Sequence, residues 1–75
     1  MFDEEIILHN AAIFLKKIRS NPVIYGEVKE IYDYINSFYA FPAPVRALAE
    51  DLKNEKVETL AVILHQNGVS VDEKI

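Results

Sequence analysis

Ile24, Val28, Ile31, Ile35 and Phe38 recur at steps of four, three, four and three. That spacing is the signature of an α-helix that buries one face. The remaining apolar segments also read as helical. Val45, Leu48, Ala49 and Leu52 share one face, and Val57, Leu60, Ala61 and Leu64 share another. The step from Leu52 to Val57 is five residues, which helical spacing does not accommodate, and it predicts a break near Asn54.

Boundary signals divide the chain further. Asp3 is a favoured N-cap, Glu4 and Glu5 suit the positive end of a helix dipole, and Phe2 with Ile7 has the spacing of a hydrophobic staple. Ser20-Asn21-Pro22 ends this first helix, and Asn21 with Pro22 opens the second. Gly26 weakens the second helix's start, and Phe41-Pro42-Ala43-Pro44 closes it. Asn67-Gly68 supplies the left-handed stop of the last helix. The expectation is an all-α, compact four-helix bundle with helices at about 3–19, 22–40, 44–53 and 55–67 and a short frayed C-terminal tail. The chain is read as a single helical domain, 1–75.

A core this small is stabilised narrowly, and such chains recruit further support. With no cysteine, disulfides and thiolate metal sites are excluded, and the composition fits a reducing compartment. Oligomerisation or a standing protein partner is the support left. The net charge of -4 makes nucleic acid a disfavoured partner, since phosphate binding depends on Lys and Arg. Lys16, Lys17 and Arg19 cluster at the end of the first helix, where they suit its dipole. The apolar run Ile6 to Leu15 follows acidic rather than basic residues and is too short to span a bilayer, so the expected location is cytoplasmic, with no membrane partner.

The second helix has one apolar half and one polar half, and its tyrosines sit at the boundary, with Tyr25, Tyr32 and Tyr39 along one flank and Tyr34 on the other. The first helix has more apolar surface than one face needs. Ile7, Leu8, Ala11, Phe14, Leu15 and Ile18 form its main arc, while Phe2, Ile6 and Ile13 lie on the far side with Asn10 and Lys17. A helix apolar on two sides is buried on both, by its own bundle, by the C-terminal tail or by another chain. The candidate partner-binding residues are therefore Phe2, Ile6, Ile13, Lys17, Tyr25, Tyr32 and Tyr39.

Nothing in the sequence recommends catalysis. His9 and His65 lack a ligand spacing, His9 being placed to meet Glu5 one turn earlier, and there is no nucleophile motif or phosphate-binding loop. No metal, cofactor or small-molecule substrate is expected. Leu48-Ala49-Glu50-Asp51-Leu52 resembles the first helix of a helix-turn-helix reader spanning 45–67. However, Lys53 stands at the turn position where glycine is usual, Asn54 stands where an apolar residue is common, and the second helix offers one cation, Lys56, against Glu55 and Glu58. The expected function is a small non-enzymatic protein-protein interaction module, regulatory or accessory, acting as a homodimer or bound to a larger partner. The alternatives are that DNA reader and a small acidic inhibitor of another protein.

Overall fold

The computed structural model describes residues 3–75. It is all-α, with α1 at Glu4–Lys17, α2 at Pro22–Phe38, α3 at Ala43–Leu48 and α4 at Glu50–Gln66. The Asp3 carboxylate accepts from the backbone N–H of Glu5 at 3.0 Å and of Ile6 at 3.4 Å, and Asn21 Oδ1 accepts from that of Ile24 at 3.4 Å. Both expected caps therefore satisfy donors that the first turn leaves free. The staple expected between Phe2 and Ile7 lies outside the described residues.

The three long helices pack on one another and supply the core. Ile7, Ala11 and Phe14 enter from α1, Val28 and Ile35 from α2, and Val57, Leu60, Ala61 and Leu64 from α4. Leu8, Leu15 and Ile18 of the main α1 arc pack half-buried at the margin, as do Tyr32 and Tyr34 of α2. Gly26 lies inside α2, which begins at Pro22 rather than after the glycine.

The break expected near Asn54 falls instead at Ala49, and Asn54 is an interior residue of α4. Helix phase explains the difference. At about 100° per residue, Leu52 lies roughly 140° from Val57, whereas Lys53 lies only about 40° from it. Lys53 takes the inward position and is buried, leaving Leu52 exposed. The five-residue step marks an inward lysine, with no interruption of the helix. One consequence is that α3 has only six residues and buries none of them.

The chain after α4 does not fray. Gly68 takes φ +75, its N–H donates to His65 O at 3.1 Å, and the next N–H, of Val69, donates to Leu64 O at 2.9 Å. These two bonds form a Schellman motif. Val69 and Val71 then pack against the core, and the tail returns to α1. There Asn10 Nδ2 donates to Ser70 O and Glu73 O, both at 2.8 Å, and Asn10 Oδ1 accepts from Ile75 N–H at 2.9 Å. Two or more side-chain bonds to backbone compensate the burial of an amide that has no access to water.

Candidate protein-binding surface

The far side of α1 is partly occupied by the chain's own tail. Asn10 is fully buried beneath it, and Ile6 and Ile13, one turn to either side of Asn10, are half-buried. Lys17 is exposed. Lys74 pairs with Glu5 at 2.6 Å, and His9 Nε2 lies 3.1 Å from Ile75 O, so the expected contact of His9 with Glu5 gives way to contacts of each with the tail. Phe2 lies outside the described residues. On α2, Tyr25 and Tyr32 are half-buried and Tyr39 is exposed.

Several large apolar side chains between the end of α2 and the start of α4 are open to solvent, among them the helix face shared by Val45, Leu48 and Leu52. Leu48 is 90% exposed, Val45 and Leu52 46% each, Phe41 49% and Tyr39 45%. Stepped from Leu48 at about 100° per residue, Val45 and Leu52 fall within about 60°, while Arg46, Lys53 and Val57 fall roughly 140° or more away. Exposure follows this phase through the bend at Ala49, since Arg46 is half-buried and Lys53 and Val57 are buried. The helix pair α3–α4 therefore has an inner side that continues the core and an outer side that begins apolar. The signal for this was present in the five-residue step, which sets Val45, Leu48 and Leu52 out of phase with Val57, Leu60 and Leu64.

Lys53 anchors this end of the bundle. Its ammonium forms an ion pair with Glu4 Oε2 at 2.8 Å and lies 4.9 Å from the ring centroids of both Phe38 and Tyr39. The two rings meet edge to face, with centroids 6.1 Å apart. One cation thereby ties together the start of α1, the end of α2 and the first turn of α4, with ring faces supplying a favourable negative potential. Glu4 Oε1 is buried with no hydrogen-bond partner among the described residues. This arrangement places the Tyr39 ring against Lys53 in the first turn of α4.

The charges of α3 and α4 divide between the two sides. The three cations turn inward or sideways: Arg46 is half-buried, Lys53 is paired with Glu4, and Lys56 lies half-buried with its ammonium 5.9 Å from the Tyr34 ring. Asp51, Glu55 and Glu58 are exposed and, at about 100° per residue, lie within about 80° of the Leu48 direction. None of the three forms an ion pair among the described residues. The outer side is apolar at its α3 end and acidic along α4.

The grooves elsewhere are shallow. One, between α4 and the tail, is lined by Ala61, Val62, His65, Gln66 and Val71. Another, between α2 and α4, is lined by Glu27, Glu30, Ile31, Lys56, Thr59 and Ile63. On the solvent side of α2, Lys29 pairs with Asp33, and the hydrogen bond and charge of that carboxylate raise the lysine's pKa above its ordinary 10.5. No group of three or more His, Asp and Glu side chains converges as a metal site among the described residues. No helix among them is long and apolar enough to cross a membrane.

No family model, curated protein or solved structure matches this chain.

Proposed function

We propose that this chain is a small non-enzymatic protein-binding module, a regulatory or accessory protein of the cytoplasm, which docks on another protein through the outer side of α3 and the first turn of α4. The observation that carries this reading is Leu48, 90% exposed on a helix with no buried residue. A six-residue helix has little stability of its own, because nucleating a helix costs more than so few hydrogen bonds return. Exposed apolar side chains on one face of such a helix, with Phe41 and Tyr39 also exposed shortly before it in the chain, have the composition of a protein-binding surface. The absence of cysteine from the sequence supports a reducing compartment.

The connection between α3 and α4 argues against reading DNA with residues 45–67. Asn54 is inside a continuous helix, and Lys56, the one cation counted for a reading helix, lies half-buried near Tyr34. A module that inhibits the protein it binds is one form of the reading proposed here.

The test is stoichiometric capture from an extract of the source cells, with wild-type protein and Leu48→Asp compared side by side. A partner retained by the first and lost by the second is expected. Identical capture by both proteins, or none by either, would remove this surface as the functional site.

A further inference from the structure

The acidic half of the outer α3–α4 side specifies its occupant further. On this side Val45, Leu48 and Leu52 are open to solvent, and Asp51, Glu55 and Glu58 are exposed without ion-pair partners among the described residues. Arg46 and Lys53 lie on the inner side, while Lys56, about 80° from Leu48 on the flank away from the three carboxylates, is half-buried with its ammonium 5.9 Å from the Tyr34 ring. Asp51 lies directly beside Leu52 in the sequence, and Glu55 is one turn beyond Asp51, so the charges border the apolar residues rather than stand apart from them.

We infer that this face binds a cationic amphipathic helix of a partner protein, with apolar side chains at helical spacing seated on Val45, Leu48 and Leu52 and flanking Lys or Arg opposite Asp51, Glu55 and Glu58. The inference rests on the protein-binding reading above and adds the chemistry of the partner.

The physical grounds are complementarity and its converse. An apolar stripe with acidic charge along one flank is a surface that a helix with a basic flank fits, because its anchors at i, i+3, i+4 and i+7 meet the stripe while its basic flank meets the acidic border. Attraction between the two borders raises the encounter rate and sets the register. A second copy of this chain on the same face brings acidic border against acidic border. Like charges at an interface are unfavourable, and the chain's net charge of -4 adds to the repulsion. The occupant favoured by the charges is therefore a different protein.

The experiment is selection from a displayed library of helical peptides on the full chain, with Leu48→Asp protein as counter-selection, followed by affinity measurement on synthetic copies of the recovered peptides. Recovered peptides are expected to carry net positive charge and apolar residues at three- and four-residue spacing. Their affinity should fall by about tenfold or more for Asp51→Lys with Glu55→Lys, whose fold is checked by circular dichroism, and should weaken as salt is raised. Leu48-dependent peptides that are neutral or acidic would overturn the partner chemistry and leave the binding surface standing. Failure to recover any Leu48-dependent peptide would overturn both. Sedimentation of the chain alone supplies a further arm, in which a concentration-dependent dimer abolished by Leu48→Asp would show a second copy on this face and overturn the inference.

Discussion

Asn10 and Ile75 stand 65 positions apart and are joined directly, the Asn10 side-chain oxygen accepting the Ile75 N–H at 2.9 Å. With its amide nitrogen bonded to the carbonyls of Ser70 and Glu73, one buried side chain holds three backbone groups of the tail. A tail with few apolar side chains is thus ordered by polar contacts to α1.

Replacing that side chain should release the tail. At about 1 kcal/mol for each net hydrogen bond, Asn10→Ala is expected to lower unfolding stability by about 2 to 3 kcal/mol. Amide exchange at Ile75, followed by NMR, should accelerate in the variant ahead of exchange in the α4 core. Protection of Ile75 equal to that in wild type would show that the side chain is not what holds the tail.

Lys53 should behave as one member of a pair. Lys53→Met leaves the part-buried Glu4 carboxylate without the cation that pairs with it. The expected cost is about 1 to 3 kcal/mol, below the full value for a buried pair because Glu4 keeps some solvent access. Adding Glu4→Gln to Lys53→Met is expected to recover part of that loss, since the uncompensated charge is then gone. Chemical denaturation of the single and double variants decides the matter, and strictly additive costs would count against coupling.

The two glycines should respond with opposite signs. Gly68 sits at φ +75, where a side chain is strained whatever the space around it, so Gly68→Ala is expected to cost about 1 to 2 kcal/mol. Gly26 lies within α2 with nothing near the position of an added Cβ, and Gly26→Ala is expected to stabilise by roughly 0.5 to 1 kcal/mol. Thermal denaturation of both variants would expose an error if they moved in the same direction.

Leu60 and Leu48 separate folding from binding. Leu60 is fully buried, and Leu60→Ala is expected to cost about 2 to 5 kcal/mol. Leu48→Asp should change stability by no more than about 0.5 kcal/mol, because the side chain it replaces touches little of the protein. Urea unfolding of both variants checks this, and a large loss for Leu48→Asp would mean that α3 is more deeply packed than its exposure indicates.

Lys29 offers a pH-dependent readout. Its pKa is raised by Asp33, so whatever stability the pair contributes is present below the lysine's ordinary 10.5 and is lost as pH rises through the higher folded value. NMR titration of the Lys29 ammonium should show the transition moving back toward 10.5 in Asp33→Asn. An unchanged midpoint would refute Asp33 as the cause.

The sequence by itself determined that the chain is helical and where most helices start and stop, because caps, prolines and three- and four-residue apolar spacing act within a few residues of one another. The α3–α4 junction, at Ala49 rather than near Asn54, is the exception. Asp3 and Asn21 cap as their chemistry requires, Gly68 closes α4, and the α2 and α4 stripes form the core. Tertiary structure decided which apolar residues were left outside. Leu48 and Leu52 read as part of one apolar helix face, but Lys53 took the inward position beside Glu4, Phe38 and Tyr39, and the helix phase carried both leucines into solvent. The tail was equally hidden from local reading, since its order comes from Asn10, a residue of the opposite end of the chain that signals its role only as a polar interruption of an apolar run. Contacts between distant segments depend on how whole helices pack, and local spacing carries no information about that.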